Sequence, residues 1–473
     1  MKLIAGTLLL VGPGAIAALA QIPSFQHVIV IVQENRTPDN LFQGLCVPPY
    51  GSASVCSTSP TASQYDIQTG NWVNKKASTG VTPPGTVPLA NQYDLSHAHS
   101  AFTAMCDANP LTGACRMDGS AGVSCSGRCP TKPQFRYVDN STGILNPYLD
   151  MATQYGWANY MFQTNQGPSF PAHQFLFGAT SAPSAADDAA GIFASENMSG
   201  KGSTAGCAAE AETTVQLIDP AGENDKIYPC FEHQTIADVL PPIVTWRYYA
   251  PSAGSIWTAP NAIQHICQSS GPGGNCTGPD WINNVDLSPA DVLNDISGCN
   301  LRSVSWVIPT GANSDHANTN DGGGPSWVAS IVNAIGNSTA CDNNGGYWQD
   351  TAIFITWDDW GGWYDHEPPT ILAQPAGDYQ YGFRVPLVVV SAYTAGGYIN
   401  NDRHDFGSIL RFIEHNFGVP EGALNFADAR AKNDLTGFFN LNLEPRAFQT
   451  ISAPKGASFF LNDKRKATDP DDD

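Results

Sequence analysis

The segment HVIVIVQENRTPDNLF, residues 27–42, sets a pattern that the rest of the sequence repeats. Its opening run, His27–Val32, is apolar, β-branched and too short for a helix, which predicts a buried strand of a parallel sheet. Glu34 and Asn35 follow this strand directly. Thr37-Pro38-Asp39 then has the form of a helix start with proline at the first position. The segment therefore places a carboxylate and an amide at the carboxyl end of a strand, where they could bind a cation or form a simple surface turn.

Four later apolar runs extend the predicted sheet, and helical patterns separate them. The clearest helix is Asp405–Phe417, in which Ile409, Phe412 and Ile413 share one side and Gly418 follows as a stop. This alternation predicts a three-layer, doubly wound α/β fold with a mostly parallel sheet. The additional strands are expected at Pro242–Trp246, Ser303–Ile308, Ala352–Trp357 and Val385–Ser391.

Composition excludes several classes of protein. Apolar residues make up 42% of the 473 residues, which excludes a largely disordered chain. The chain has 22 Lys and Arg against 43 Asp and Glu, so its formal net charge is −21. This charge argues against non-specific nucleic-acid binding and against electrostatic capture on anionic membranes.

The N-terminus predicts export. Lys2 precedes an apolar run that ends in Ala18-Leu19-Ala20, which is typical of a signal peptide, residues 1–20, cleaved after Ala20. A membrane anchor is the alternative. No later apolar run is long enough to cross a membrane, so we expect a secreted or periplasmic protein without stable membrane insertion. Residues 21–461 are expected to form one domain, followed by an acidic disordered tail at 462–473. Loop insertions are expected near 46–90, 106–146 and 181–240.

The twelve cysteines support the same compartment. Their even number and the absence of a C-x-x-C pair predict disulfides rather than a zinc ribbon or a redox site. Most neighbouring cysteines would close short loops, so pairing between neighbours is expected, although spacing alone does not establish connectivity. The expected pairs are 46–56, 106–115, 125–129, 207–230, 267–276 and 299–341.

A second acidic strand end occurs in AIFITWDDWGGWYDHEPP, residues 352–369. Asp358 and Asp359 follow the predicted strand, and Gly361-Gly362 allow a tight turn. Adjacent buried carboxylates repel each other, so they favour a cation between them; a solvated acidic turn is the alternative. Asp365 and His366 would either support the cation ligands by hydrogen bonding or be simple loop residues.

A nucleophile is predicted in NQGPSFPAHQFLFGATS, residues 165–181. Ser169 lies at the start of a helical pattern, close to unpaired backbone N–H groups that favour an anion and a developing alkoxide. An ordinary helix cap is the alternative. His97, His265 and His316 lie in polar contexts and could bind a phosphoryl oxygen or protonate a leaving group, or could be structural.

Short motifs spread over residues 26–418 also carry a resemblance to a known family. The motifs are Glu34-Asn35-Arg36, Asp94-x-x-His97 with Met117-Asp118-Gly119, Ser169-Phe170-x-x-His173-Gln174, Ser314-Asp315-His316, Thr356-x-Asp358-Asp359-x-Gly361-Gly362-x-Tyr364-Asp365-His366, Gly382-Phe383-Arg384-Val385-Pro386 and Leu410-Arg411-Phe412-Ile413-Glu414. In this order they resemble the secreted bacterial phosphoesterases, which comprise phosphatidylcholine-type phospholipases C and related acid phosphatases. That family belongs to the alkaline-phosphatase-like superfamily.

The resemblance implies roles for individual residues. Ser169 corresponds to the nucleophile, and His97, His316 and, more loosely, His265 correspond to active-site histidines. The phospholipase branch usually has threonine followed by Pro-Asn-Arg. The stretch Ser169–His173 is instead closer to the acid phosphatase branch. The implied ligands of one divalent metal ion, whether Ca²⁺, Mg²⁺, Mn²⁺ or Zn²⁺, are Glu34, Asn35, Asp358 and Asp359.

The expected activity is hydrolysis of a phosphate ester through a phosphoserine intermediate, of acid phosphatase or phospholipase C type. The expected substrate is a small phosphate ester or a phospholipid headgroup, and no nucleic-acid partner is expected. A sulfatase-like hydrolase is one alternative, although no C-x-P-x-R segment is present to supply its modified nucleophile. A catalytically silent secreted binding protein is the other.

Overall fold

The structure is a computed structural model that describes residues 23–200, 204–341, 345–371 and 381–468. The predicted signal peptide lies outside these residues, as does the end of the predicted tail, 469–473. Within the described ranges, no helix is both long and apolar enough to span a bilayer.

An eight-stranded sheet forms the centre of the protein, in the spatial order β4-β3-β5-β1-β6-β7-β2-β8. All neighbouring strands are parallel except at β7, which runs antiparallel to β6 and β2. The mostly parallel sheet predicted from the apolar runs is therefore confirmed. The strands are β1 His27–Gln33, β2 Gly156–Phe162, β3 Trp246–Tyr249, β4 Val285–Asp286, β5 Val304–Val307, β6 Thr351–Trp357, β7 Leu387–Val390 and β8 Tyr398–Asp405.

Strand β1 lies in the middle of this sheet. Val28 pairs with Val304 of β5 on one side and with Ala352 of β6 on the other. Every residue of β1 and of β6 is buried, as expected for parallel strands that are covered on both faces. The second predicted strand is displaced: it begins at Trp246 rather than at Pro242, and proline cannot donate a ladder hydrogen bond.

Helices cover both faces of the sheet. Phe354 of β6 packs against Phe412 of α5, with ring centroids 5.0 Å apart, whereas Trp357 packs against Tyr148 of α2, at 5.1 Å. Positions 354 and 357 point to opposite faces of a strand, so the two helices lie on opposite sides and the three layers are confirmed. The longer helices are α1 His99–Cys106, α2 Asn146–Gln154, α3 Ser169–Gly178, α4 Gly324–Gly336 and α5 Phe406–Asn416.

Smaller elements fill the connections. The expected insertion at 181–240 contains an antiparallel sheet of Phe193–Ser199, Thr214–Asp219 and Gly222–Ile227. Shorter helices are Pro38–Leu41, Ala185–Ala190, Ile236–Val239, Gln264–Cys267, Pro279–Asn284, Asp291–Ser297, Ala427–Arg430 and Ala457–Leu461. Short strands are Cys56–Ser57, Tyr65–Asp66, Trp72–Val73, Val81–Thr82, Gly85–Val87, Tyr93–Leu95, Cys125–Gly127 and Arg136–Val138.

All twelve cysteines form disulfides, and the expected pairing of neighbours is confirmed. The bonds are Cys46–Cys56, Cys106–Cys115, Cys125–Cys129, Cys207–Cys230, Cys267–Cys276 and Cys299–Cys341.

The described part of the C-terminal tail, residues 462–468, contacts the body of the protein, and the expected disorder of the tail stays a prediction. Arg465 donates to Asp321 at 2.5 Å and to Asn313 at 3.1 Å, and it also forms an ion pair with Asp463. These contacts attach residues 462–468 to the body of the protein, because the tail contributes a cation as well as its acidic residues.

Candidate active site

The two acidic strand ends lie side by side, because β1 and β6 are neighbours and end together. Gln33 pairs with Trp357 at the last register position. Immediately beyond it, the backbone N–H of Asn35 donates to Asp358 Oδ1 at 3.0 Å. Asn35 adopts a left-handed backbone with φ of 61°, a conformation that asparagine tolerates better than most residues. The predicted convergence of positions 34–35 with 358–359 is thus present in the fold.

The turn after Asp359 fits against both neighbouring loops. A β-carbon on Gly361 would lie 2.3 Å from the carbonyl oxygen of Asn35, and one on Gly362 would lie 2.7 Å from that of Ser96. Both glycines also have positive φ angles, 61° and 71°. Only glycine satisfies both conditions, so this turn holds the loops of residues 35 and 96 close together.

Ser169 is the first residue of α3 and faces the acidic pair. Its Oγ donates to Asp359 Oδ2 at 3.3 Å, while Asp359 Oδ1 accepts the N–H of Gly361 at 2.6 Å. The next backbone N–H, that of Phe170, donates to Asn197 of the insertion. The hydroxyl therefore lies at a helix N-terminus and in contact with a carboxylate that the glycine turn holds in place.

His173 joins the cluster, although sequence reasoning gave it no role. It lies four residues after Ser169, one helical turn further along α3, so both side chains point to the same side of the helix. Its Nε2 is 3.4 Å from Glu34 Oε1 and 3.8 Å from Asp358 Oδ2. The helical spacing from the nucleophile was the signal that could have identified it.

His97 and His316 are both buried beside this cluster. His97 Nδ1 is 3.0 Å from the carbonyl of Leu95, and its Nε2 is 3.2 Å from Asn35 Nδ2. His316 Nδ1 is 2.7 Å from the carbonyl of Ala317, and the two imidazole rings are 5.9 Å apart. A carbonyl can only accept, so each Nδ1 carries a proton and each ring presents Nε2 for other contacts.

His265 has a different environment from the other histidines. Its Nδ1 is 2.8 Å from Glu232 and its Nε2 is 3.2 Å from Asp238, and its side chain is 30% exposed. Hydrogen bonds that His265 donates to Asp238 and Glu232 outweigh partial burial and raise its pKa to about 9. The structure does not bring His265 into contact with Ser169 or the acidic pair, because both ring nitrogens are held by the insertion's carboxylates.

Asp365 and His366 belong to a separate buried ionic network. Arg384 forms a fork with Asp365, at 2.8 and 3.0 Å. His366 lies between Asp39, at 2.7 Å, and Asp66, at 3.1 Å. Burial opposes the charge on His366, but Asp39 and Asp66 raise its pKa to about 10. The contacts given above for Asp365 and His366 all lie within this network. The glycine turn directs the chain that carries both residues toward Arg384.

Asp315 likewise supports the structure from behind His316. Its Oδ2 accepts from Tyr148 at 2.9 Å and from Trp357 at 3.0 Å. Burial raises its pKa to about 6. The carboxylate thus fixes the loop that carries His316.

The chemistry of the donor set fits a divalent cation. Glu34, His173 and Asp358 offer ligand atoms that all lie within 4.8 Å of one another, and all three residues are buried. Within the described residues, Asp358 Oδ2 and Asn35 Oδ1 are buried and form no hydrogen bond. Buried carboxylates this close repel one another, and a cation would offset both the repulsion and the lost hydration.

Comparisons with known proteins find relatives of this chain among phospholipases C. Non-hemolytic phospholipase C of Pseudomonas aeruginosa is 26% identical over 43% of this chain and 32% of its own length. The enzyme of the same name from Burkholderia pseudomallei is 32% identical over 27% of this chain and 21% of its own length. Phospholipase C A of Mycobacterium tuberculosis is 28% identical over 34% of this chain and 33% of its own length. The chain thus spans about a third or less of the length of these curated relatives.

Among solved structures, a protein of the alkaline phosphatase superfamily from Vibrio parahaemolyticus aligns with 58% of this chain and 61% of its own. The identity is 12% and the TM-score is 0.31. The family comparison covers far more of the sequence: residues 25–420 match the Phosphoesterase family, and they include every strand of the central sheet and the whole cluster around Ser169. The chain belongs to the Phosphoesterase family.

Proposed function

We propose that this protein is a phosphoric ester hydrolase in which Ser169 attacks the phosphorus atom and forms a phosphoserine intermediate. The observation that carries the proposal is the hydrogen bond from Ser169 Oγ to Asp359 Oδ2, 3.3 Å long, at the N-terminus of α3. The carboxylate lowers the cost of removing the hydroxyl proton, and the helix N-terminus favours the anionic phosphoryl group.

The two buried histidines supply the remaining acid–base groups. Because each Nδ1 donates to a backbone carbonyl, each Nε2 is the nitrogen that can accept or donate a proton. In this proposal His97 and His316, when protonated on Nε2 as well, neutralise charge on the phosphoryl oxygens, and one of them gives its Nε2 proton to the departing alcohol. Water then attacks the phosphoserine, which restores the Ser169 hydroxyl and releases phosphate or a phosphomonoester.

One divalent cation is part of the proposal. When bound, it acts as a Lewis acid and aligns the ester for in-line attack. The buried, unsatisfied oxygens of Asn35 and Asp358 support this assignment. Asp359 is placed to orient the Ser169 hydroxyl at the edge of the same set. The proposed ligands are Glu34, Asn35, Asp358 and Asp359.

The proposed substrates are a small phosphate ester and a phospholipid headgroup. The names of the matched relatives, phospholipases C, favour the second of these. Two fully buried tryptophans pack beside the active-site histidines. Trp257 lies 6.4 Å from the His173 ring and 6.2 Å from the His316 ring, and Trp360 lies 6.3 Å from the His97 ring.

We also propose export to an oxidising compartment. Six disulfides with no free cysteine are rare in reducing cytoplasm and common in exported proteins.

A substrate panel tests the proposed function. The protein is incubated with para-nitrophenyl phosphate, para-nitrophenyl phosphorylcholine and para-nitrophenyl sulfate, with and without a chelator, from about pH 4 to 9. We expect turnover of at least one phosphate ester and its loss on chelation. Turnover of the sulfate ester alone would favour the sulfatase-like alternative, and no turnover at all would favour the binding protein.

A further inference from the structure

We propose that His173 is an additional cation ligand, and that its imidazole gives the site a preference for Zn²⁺ over Ca²⁺ and Mg²⁺. This inference rests on the proposed function, because it concerns the same cation. The cation ligands considered so far are oxygen atoms of carboxylates and an amide, which suit any of these ions. A nitrogen ligand changes that preference.

The position of His173 favours ligation over an ion pair. Its Nε2 lies between Glu34 Oε1 at 3.4 Å and Asp358 Oδ2 at 3.8 Å. Both distances exceed the 2.7–2.9 Å that is typical of a charge-assisted N–H···O bond. All three atoms instead surround one shared space, and their side chains have no exposed surface.

Tyr248 fixes which nitrogen of His173 carries the proton. The Tyr248 hydroxyl donates to the carbonyl of Trp257 at 2.8 Å, so its single hydrogen is already used. His173 Nδ1 lies 3.4 Å from the same hydroxyl oxygen, which can then only accept. Burial raises the pKa of Tyr248 well above its usual value, so the phenol keeps its proton. His173 therefore carries hydrogen on Nδ1.

With hydrogen on Nδ1, His173 faces Glu34 and Asp358 with Nε2, the nitrogen that would bind a cation lying among the three groups. A cation in this position would offset the repulsion between the two buried carboxylates. Metal-binding histidines commonly have this arrangement, in which the second ring nitrogen donates to a neighbouring acceptor and fixes the ring. Imidazole suits Zn²⁺ well, whereas Ca²⁺ and Mg²⁺ favour oxygen.

Metal selectivity provides the test. The full-length protein is stripped with a chelator, dialysed against an equimolar mixture of ZnCl₂, CaCl₂ and MgCl₂, and its bound metal is measured by elemental analysis. Titration calorimetry with each ion alone gives the separate affinities. The variants are His173→Asn, which replaces the nitrogen with an amide, and Tyr248→Phe, which removes the acceptor of the Nδ1 hydrogen. His404→Asn is the matched control, because His404 is also buried but lies beside Asn400 and Phe438.

We expect the unaltered protein and His404→Asn to retain Zn²⁺. His173→Asn should lose about 10–100-fold or more in Zn²⁺ affinity while keeping its affinity for Ca²⁺, so that the selectivity falls or reverses. Tyr248→Phe should weaken Zn²⁺ binding in the same direction. In the unaltered protein, ¹⁵N NMR of labelled histidine should show a Zn²⁺-dependent shift of the Nε2 resonance of His173, with Nδ1 still protonated.

Three results would overturn the inference. They are Zn²⁺ selectivity that is unchanged in His173→Asn, a His173 that stays doubly protonated with Zn²⁺ present, and an unaltered protein that prefers Ca²⁺ or Mg²⁺. In each case the proposed hydrolase stands if chelation still abolishes turnover of para-nitrophenyl phosphate. If no divalent ion binds at all, both the inference and the cation part of the proposed function fail.

Discussion

Ser169 is the residue whose single oxygen atom matters most to the proposed reaction. Replacing it with alanine removes the nucleophile but leaves the first turn of α3 in place. We expect Ser169→Ala to lower kcat on para-nitrophenyl phosphate by on the order of 10³-fold or more. Ser330→Ala is a suitable control, because the Ser330 hydroxyl bonds only a carbonyl within α4. Near-normal turnover by Ser169→Ala would exclude the phosphoserine route.

Asp358 holds the proposed cation on the side of β6. Its Oδ1 accepts the Asn35 N–H, and its Oδ2 has no hydrogen-bond partner in the described structure. Asp358→Asn removes the negative charge with almost no change in shape. We expect metal content after dialysis to fall about 10-fold or more, measured by elemental analysis. Asp225→Asn, in an exposed hairpin, should retain its metal. Equal metal in both variants would contradict the ligand role.

For single residues, the sequence indicates which side chains could serve the site better than it indicates which residues they contact in the fold. Glu34 and Asp358 could be placed because each directly follows a strand, and the ends of adjacent parallel strands meet. His173 and His265 could not be distinguished, since each is a single histidine in a short helical pattern. The two histidines differ because His265 contacts Glu232 and Asp238 of the insertion, and the sequence does not reveal these contacts.

The Gly361-Gly362 turn is the element on which the site's alignment depends. In Gly361→Ala the left-handed backbone costs roughly 1–2 kcal/mol. The new methyl group would also displace Asn35, whose carbonyl lies 2.3 Å from it. We expect a lower melting temperature and, because a shift of about 1 Å can cost about 10²-fold, a comparable loss of kcat/KM.

Gly418→Ala separates these two effects. Gly418 has a φ of 72°, like the turn glycine, but a β-carbon there would meet no atom within 4 Å. We expect this variant to lose stability through backbone strain alone and to keep its activity. Equal activity losses in the two variants would show that Asn35 is not positioned by the turn.

Strands with a clear apolar run were predicted well, whereas strands β2, β4 and β8 were missed. Strands β1, β5, β6 and β7 are buried on both faces and have the apolar runs that such burial requires. Strand β8 has the sequence YINNDRHD and lies at the edge of the sheet, partly exposed. Edge strands need fewer apolar residues, so their sequence resembles that of a loop.

The whole molecule is expected to be more stable in mild acid. Burial is the main cause of a raised pKa for several carboxyls, among them three whose pKa rises to about 6 (Asp405), about 7 (Glu196) and about 8 (Glu414). Their unfolded values are near 4, so this stabilisation is complete below about pH 4 and is lost as the pH rises to about 8. His366 has the same effect, because its stabilising contribution is lost as the pH rises from about 6.5 to about 10. His404, with a pKa lowered to about 4 by burial, opposes them.

We therefore expect the melting temperature to fall between pH 5 and pH 8, measured by calorimetry in metal-free buffer. Glu414→Gln, which mimics the protonated acid, should make this decline shallower, because Glu414 has the largest shift of the three carboxyls. A melting temperature that rises over this interval, or a slope that Glu414→Gln leaves unchanged, would contradict the prediction.

The position of β1 at the centre of the sheet has a consequence for synthesis. Val28 cannot pair with Val304 and Ala352 until the ribosome has added these residues, more than 270 positions later. The proposed nucleophile and cation ligands are likewise spread from Glu34 to Asp359, so a growing chain that stops short of the last carboxylate contains no complete catalytic centre. Because such long-range pairing also folds slowly, the proposed catalytic centre is expected to form late, after Asp359 has been added to the chain.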